Sequence, residues 1–414
     1  MTDPAPLPRR QRAAIGFVMV TVLLDMLAMA IIIPVLPRLV LDFSGGDTAA
    51  ASGVLGLFGT AWNLMQFVAS PVVGALSDRF GRRPVILLSN FGLGLDYVLM
   101  ALAPGLVLLF VGRIISGITA ASISAAGAYI ADVSPPERRA AGFGLLNVAF
   151  GVGFVLGPAA GGLLGGFDPR LPFWVAAGLS LLNGVYGSIV LPESLPKARR
   201  SPFSWRRANP VGALRLLLRH RQLAGIASVN FLFFLAHQSL QSVFVLYGAY
   251  RYGWDAKTVG LTLAAVGVCS AFVGGVLVKR AVARLGERRA LLAGLLFGAT
   301  GFTIFGLAPN GTLFWAGLPV LSLMGLVGPS AQAIMTRLVP ADEQGRLQGA
   351  GSSVMSLAGL VGPGLFTTVF AVAVRAGGAG HLPGAPYLLA AIIMLVAAGV
   401  AAAVTRRPVA AMAE

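Results

Sequence analysis

The side chains able to do chemistry in this sequence are few and lie deep in apolar surroundings. Asp25 stands in Leu23-Leu24-Asp25-Met26-Leu27, within an apolar run that begins near Ala13. At 1.5 Å per residue it lies roughly 18 Å into that run, close to the middle of a bilayer. A carboxylate there costs about 2.5 to 3.5 kcal/mol on insertion scales, so it must face a polar cavity, hold a partner or carry a proton. A reversible proton carrier and a structural aspartate both fit the position. Asp96, in the third apolar run, has a similar depth and the same two readings. Arg113 lies about 12 Å inside the fourth run. A guanidinium keeps its proton, so it must bind a carboxylate or an anion, and Asp25 and Asp96 are the deep partners on offer. A pair that opens on protonation would couple protons to conformation; a permanent pair would be structural.

A second charged group sits between two apolar runs, in Gly74-Ala75-Leu76-Ser77-Asp78-Arg79-Phe80-Gly81-Arg82-Arg83-Pro84. Its charges keep it out of hydrocarbon, so it must be a tight aqueous connection between spanning helices. Gly74 and Gly81 permit close approach and a sharp reversal. Asp78, Arg79, Arg82 and Arg83 are placed to pair with charges on neighbouring helix ends, among them Asp132, which makes the loop a candidate latch.

The elements that must carry these groups follow from composition. Hydrophobic residues make up 57% of the 414 and charged residues 11%, against roughly 25% charged in soluble domains. The expectation is an all-α membrane protein. Apolar runs fall near 13–40, 50–76, 84–103, 106–131, 139–164, 171–191, 222–248, 257–282, 289–308, 312–337, 345–375 and 385–405. The first is too long for a leader's apolar core and carries Asp25, so it reads as the first of twelve transmembrane helices. The net charge of +16 points to topology and not to nucleic acid. Arg38, Arg170, Arg251, Lys257 and Arg375 lie on one side and Arg113 within a span, while every other Lys and Arg falls on the side of the termini. By the positive-inside rule both termini are cytoplasmic.

The basic, proline-containing stretch 192–221 reads as a cytoplasmic linker between two six-helix bundles, 1–191 and 222–414. An internal repeat supports the division. Gly81-Arg82-Arg83 recurs as Gly286-Glu287-Arg288, and Gly157-Pro158 recurs as Gly362-Pro363 at the same offset; Pro136 and Pro340 agree within one residue. On that offset Asp25 becomes Asn230, Asp78 becomes Ala283 and Asp132 becomes Arg337. The carboxylates stay in the first half, which predicts that protons are handled there and that the second half shapes substrate choice.

The fifth run reads Gly153-Phe154-Val155-Leu156-Gly157-Pro158-Ala159-Ala160-Gly161-Gly162. Small residues every four positions make a stripe that lets another helix approach closely. Neutral polar side chains suited to an amphipathic ligand are Asn63 and Gln66 in the second run, Asn230, His237, Gln238 and Gln241 in the seventh, and Gln332 in the tenth. His237 reads equally as a packing residue. Cys269 is the single cysteine, so neither a disulfide framework nor a metal cluster is expected, and no cofactor.

Several of these segments resemble a known family. The loop G-x-L-S-D-R-x-G-R-R resembles a signature of the major facilitator superfamily. The segment Arg113 to Gly117 is similar to its fourth-helix motif, linked to proton coupling. Gly153 to Gly162 resembles the glycine-proline motif of its antiporters. With Ile33-Pro34-Val35-Leu36-Pro37, Leu64-Met65-Gln66, Leu95-Asp96-Tyr97, Ile130-Ala131-Asp132, Leu191-Pro192-Glu193-Ser194, Tyr252-Gly253-Trp254 and Gln344-Gly345-Arg346-Leu347-Gln348-Gly349, the chain resembles the tetracycline-resistance efflux family. That resemblance implies two pseudo-symmetric bundles and proton-coupled export of amphipathic drugs from a bacterial inner membrane by a monomer. It implies proton coupling at Asp25 and Arg113, beside which Asp96 is a candidate by its depth, a substrate contact at Gln66, and a cytoplasmic gate at Asp78, Arg82 and Asp132. The family's acidic residue in the ninth helix and histidine in the eighth align here with Gly298 and Cys269, which removes the obvious partners of a metal-chelated drug. Competing readings are a proton-linked importer and a non-transporting membrane receptor. An enzyme would need converging nucleophile, base or metal groups, which the deep polar residues do not supply.

Overall fold

The computed structural model of the chain describes residues 9–120, 122–133, 139–200, 217, 221–339, 344–376 and 381–406. Pro136, Pro340 and most of the basic linker lie outside them. Nine described helical stretches are long and apolar enough to cross a bilayer. One of these, Ala256–Leu307, holds two expected spans in a single run, bent where Gly286 takes φ 75°. The second expected span is the helix Thr48–Phe80, and the fourth is Leu106–Thr119 together with Ser122–Val133. The twelve expected spans are thus all present.

Three spans expected as continuous are interrupted within the described residues. The first is α1 (Arg9–Ile31) and α2 (Leu36–Phe43), separated around Pro34, which has no N–H to give the helix ladder. After α3 (Thr48–Phe80) and α4 (Arg82–Ala101), the fourth span is described as α5 (Leu106–Thr119) and α6 (Ser122–Val133), with Ala121 outside the described residues. Then follow α7 (Arg139–Phe167), α8 (Leu171–Val190) and α9 (Arg221–Tyr252). The eighth span is α10 (Ala256–Phe272), a π turn at Val273–Leu277 and the start of α11 (Val278–Leu307). The tenth is α12 (Gly311–Ser322), a 3₁₀ turn at Leu323–Leu326 and α13 (Val327–Arg337), and the chain closes with α14 (Gln344–Arg375) and α15 (Ala385–Val404).

The chain forms two compact units, Met1–Val35 with Leu64–Ala208, and Leu36–Asn63 with Asn209–Glu414. In the first, α1 packs along α7 and α8, and α4 along α8, α5 and α6. The glycine stripe of α7 makes the α1 contact. A Cβ on Gly153 would lie 2.5 Å from Met26 Cβ, one on Gly157 2.5 Å from Ala30 Cβ, and one on Gly161 2.7 Å from the carbonyl carbon of Ile31. Backbone-to-backbone approach of this kind is how helices associate in lipid, where burial of apolar surface brings no gain. The α4–α8 contact uses the same device, with Gly94 against Leu181, Gly184 against Phe91 and Gly187 against Leu87.

In the second unit α9 packs on α14 and α15, and α11 on α15, α12 and α13. An aromatic cluster of Tyr247, Tyr252, Trp254, Phe305, Phe314 and Tyr387 fills one end. Tyr247 donates to the Phe305 carbonyl at 2.9 Å and Tyr252 to the Ala308 carbonyl at 2.9 Å, which satisfies those two hydroxyls, while the Tyr387 hydroxyl is buried with no hydrogen-bond partner among the described residues. The first sixteen residues of α3 belong to this unit. Ser52 donates to the Thr367 carbonyl at 2.9 Å, and Gly56 and Gly59 lie against Thr367 and Pro363 of α14.

Candidate functional site

Asp25 immediately precedes Met26–Ile31, the stretch of α1 that the α7 glycines hold, so its place is set by the glycine stripe. Two carboxamides meet it. Asn183 of α8 donates from Nδ2 to Asp25 Oδ1 at 2.8 Å and to the Thr21 carbonyl at 2.9 Å. Asn90 of α4 satisfies its surroundings with its nitrogen turned toward Asp25. It then donates to both carboxylate oxygens at 3.2 Å and accepts from Asn183 Nδ2 at 3.1 Å. Both asparagines are fully buried.

Asp96 of α4 is also buried. Gly112 of α5 makes room for it, since a Cβ there would lie 3.0 Å from Asp96 Oδ1. Arg113, the next residue of α5, interacts electrostatically with Asp96 and with Tyr97. Of the two deep carboxylates open to Arg113 from sequence, the geometry therefore favours Asp96, while Asp25 is met by amides. Asp25 and Asp96 form two distinct polar centres along one unit, with Tyr97 in the field of both.

At the loop between α3 and α4, Gly81 takes φ 108°, which a side chain rarely adopts. That reversal aims Arg82 at both neighbours: its Nη1 lies 2.5 Å from Asp78 Oδ1 and its Nε 3.2 Å from Asp132 Oδ2. Arg82 also donates to Ser77 Oγ at 2.6 Å. Of the three arginines placed to reach Asp132, Arg82 does so. Arg83 donates to the Ser188 carbonyl at 2.5 Å, and Arg79 lies over the Phe80 ring at 5.1 Å. Gly74 has open space around its Cβ position.

The sequence reading missed that the chain after α8 joins this group. Glu193 accepts from the Arg82 and Leu195 backbone N–H groups at 2.9 and 3.0 Å and pairs with Arg200 at 3.7 Å. Ser194 donates to Asp132 Oδ2 at 3.1 Å, and Tyr129 to the Pro192 carbonyl at 2.9 Å. A Glu-Ser pair next to a proline-rich run carries no periodic signal; only the resemblance had marked it.

The repeat accounts for the second unit's counterpart. Gly286 takes φ 75°, as Gly81 does, and Arg337 Nη2 lies 2.7 Å from Glu287 Oε1. These are the positions of Asp132 and Arg82 on the repeat offset, with the charges exchanged. What the sequence alone presented as a lost carboxylate is an ion pair of reversed polarity.

The neutral polar residues divide. Asn63 and Gln238 meet over Gly359 of α14, where a Cβ would lie 2.5 Å from Asn63 Oδ1 and 3.0 Å from Gln238 Nε2. His237 is 3.5 Å from Gln241. Asn230 is buried against the Met335 sulfur at 3.9 Å and reads as packing. Gln332 is half-buried on α13, and Gln66 lies on the part of α3 that belongs to the first unit. Gly298 is packed under Met394 and Met324, with the flexible end of Met394 nearest to it. Cys269 precedes the π turn of the eighth span. Among the described residues no three His, Cys, Asp or Glu side chains converge on a point.

Comparison with known proteins agrees with this architecture. The sequence profile of the Major Facilitator Superfamily matches residues 18–363. The chain is 40% identical to the class C tetracycline resistance protein of Escherichia coli over 332 residues, 80% of this chain and 82% of that protein. It is 37% identical to the class G tetracycline resistance protein of Vibrio anguillarum over 79% of this chain and 82% of that one. The solved structure of the human organic anion transporter MFSD10 (TETRAN) superposes with a TM-score of 0.70 at 25% identity, covering 95% of this chain and all of that one. A bacterial homologue of the human lysosomal transporter Spinster superposes at 0.76 with 16% identity, over 97% and 98% of the two chains. The chain belongs to the Major Facilitator Superfamily of transporters and, within it, to the family of the tetracycline resistance proteins.

Proposed function

We propose that this chain is a proton-coupled antiporter that exports amphipathic, drug-like compounds, tetracyclines or others, from the bacterial cytoplasm by alternating access. The observation that carries the reading is a carboxylate on α1, met by amides and held against the glycine stripe of α7. Asp25 is the main proton site, and Arg113 with Asp96 makes a second centre that responds to it. The moving bodies are the halves 1–191 and 222–414, joined by the linker 192–221 in a monomer. Both termini face the cytoplasm, which puts the loop of Asp78 to Arg83 on the cytoplasmic face. An inward proton at 100 mV contributes about 2.3 kcal/mol, enough for roughly fiftyfold accumulation of a neutral solute.

The test is proton flux in proteoliposomes challenged with tetracycline and several metal-free drugs, with and without a divalent chelator. Gly298 and Cys269 stand where the family places an acid and a histidine, so no anionic side chain is offered there to a metal-chelated drug, which favours a metal-free ligand. The expected result is drug-driven proton efflux that chelation changes by less than about twofold. That threshold is a difference of roughly 0.4 kcal/mol. Transport confined to the magnesium–tetracycline complex, and stopped by the chelator, would show that the second half keeps metal partners elsewhere.

The loop of Asp78, Arg79, Arg82 and Arg83 with Asp132 serves as a cytoplasmic gate that favours the outward-open state by bracing helix ends. Arg82 is mostly buried, with its side chain 11% exposed, so reversing its charge leaves Asp78 and Asp132 facing a third carboxylate. Arg82→Glu is expected to lower drug-driven flux by about tenfold or more, the scale of breaking a buried pair. The triple change Asp78→Ala, Arg82→Glu, Asp132→Arg copies the residues of the second half and should restore flux to within about threefold, the coupling being one of pairs. Equal loss in the single and triple variants would rule out an exchangeable pair.

A further inference from the structure

The Asp25 carboxylate is surrounded by a hydrogen-bonding arrangement that the second half lacks as a set. On the repeat offset, Thr21, Asp25, Asn90 and Asn183 correspond to Ile226, Asn230, Leu295 and Leu388. Where the carboxylate is absent, both amides are replaced by leucine and the threonine by isoleucine. Polar residues kept only for helix packing would have no reason to disappear together with the acid. The correspondence ties Asn90 and Asn183 to the chemistry of Asp25.

The atoms say what the tie is. Asn183 Nδ2 donates to Asp25 Oδ1 and to the Thr21 carbonyl, while Asn183 Oδ1 and Thr21 Oγ1 are buried without a partner among the described residues. A buried acceptor left unmatched is costly, and a native protein retains one where another state of the molecule uses it. A carboxylate accepts only, and the amide N–H groups serve it. A carboxylic acid has an O–H to place, and the nearest amide already meeting Asp25 holds the unused acceptor.

We propose that Asn183 is the positioning residue that reads the protonation state of Asp25 by turning its carboxamide. The inference rests on Asp25 as the proton site. With Asp25 charged, Asn183 Nδ2 faces the carboxylate and the Thr21 carbonyl. When Asp25 takes a proton from the aqueous phase, the amide rotates by half a turn and Oδ1 accepts the new O–H. The bonds from Nδ2 to the Thr21 carbonyl and to Asn90 Oδ1 are given up, and Asn90 keeps its donation to the second oxygen. Asn183 gains and loses no proton; the proton leaves Asp25 for water on the other side. One hydrogen bond between α8 and α1 is thereby made or broken with each protonation, beside the surface on which α7 holds α1.

The charged and titratable groups on the elements around Asp25 leave that role to the amides. Beyond Asp25 itself they are Arg9, Arg10 and Arg12 in the first turn of α1, Tyr129 and Asp132 on α6, Arg139 at the start of α7, Tyr186 on α8, and Arg82, Arg83, Asp96 and Tyr97 on α4. Asp132, Arg82 and Arg83 are engaged at the loop end, and Tyr129 with Pro192. Asp96 is in the field of Arg113, and Tyr97 adds a neutral phenol near both acids.

The test is infrared difference spectroscopy of the full chain in lipid across a pH titration, following the carboxylic C=O band of protonated Asp25. Asp25→Asn assigns the band by removing it. Bonds to a charged acceptor are about twice as strong as neutral ones, so losing Asn183 weakens the charged state more. In Asn183→Leu the protonated fraction at a given pH is expected to rise by about tenfold, a midpoint moved by about one pH unit, and the C=O band to change frequency. Asn183→Ser, smaller and still polar, should do the same if leucine does not fold in this site. A band and midpoint unchanged in both variants overturn the proposal and leave Asp25 as the proton site. A titrating band that persists in Asp25→Asn overturns the Asp25 assignment itself, and the proposal with it.

Discussion

In proteoliposomes carrying an imposed pH gradient, Asp25→Asn is expected to abolish uphill drug accumulation while drug binding persists. The substitution changes one atom, and the new amide still accepts from Asn183 at the place where Asp25 Oδ1 accepts at 2.8 Å. Folding and the α1–α7 contact therefore survive. What is lost is the choice between charged and neutral states at a deep site on α1. The gradient then has nothing to act on there, and the roughly fiftyfold accumulation available from 100 mV falls to none. Downhill drug exchange, which needs the rocking motion and not the proton, should remain within several-fold of wild type. Accumulation that stays at the wild-type level, measured with the same gradient, would move the coupling to Asp96.

That expectation was open to a reader of the sequence, because a carboxylate in an apolar run is conspicuous. The residues that meet Asp25 were not. Asn90 and Asn183 are neutral, each isolated in an apolar helix, and nothing in spacing separates them from Asn63 or Asn230. Only folding, which brings α4 and α8 together through Gly94, Gly184 and Gly187, shows which asparagines face the acid. The twelve spans, the repeat and the loop reversal were legible because each has a physical signature: a length of apolar chain, a recurrent offset, a glycine between charges. The breaks at Pro34 and at the π turn of the eighth span were not, since they conserve hydrophobicity while changing the backbone. The exchanged ion pair of Glu287 and Arg337 was half legible. Both residues had been placed on the repeat, but a pair lies between two positions and each was read alone.

The glycine stripe shows the same limit and supports the second large effect. From sequence, Gly153, Gly157, Gly161 and Gly162 are equivalent small residues beside Pro158. In the structure they are graded by what lies opposite. A Cβ on Gly161 would stand 2.7 Å from the carbonyl carbon and 3.0 Å from the Cα of Ile31, and backbone cannot turn aside as a side chain can. On Gly157 the nearest atom is Ala30 Cβ at 2.5 Å, and on Gly153 it is Met26 Cβ at 2.5 Å, each with backbone atoms from 3.1 to 3.2 Å. Gly151, on the same helix, has nothing within 4 Å.

Alanine at Gly161 should therefore cost about 1 to 3 kcal/mol, the scale of an overpacked contact that only helix separation relieves. Gly153→Ala and Gly157→Ala should cost less, and Gly151→Ala should be neutral or stabilising by up to about 1 kcal/mol through helix propensity. Thermal unfolding of the purified variants in one detergent checks the order. A larger residue at position 161 pushes α1 outward at Ile31, on the same helix as Asp25 and six residues beyond it, so Gly161→Val should lose proton-driven accumulation even in the fraction that remains folded. Equal melting temperatures for Gly151→Ala and Gly161→Ala would mean that α1 and α7 are not in contact at Ile31, and would detach the stripe from the proton site.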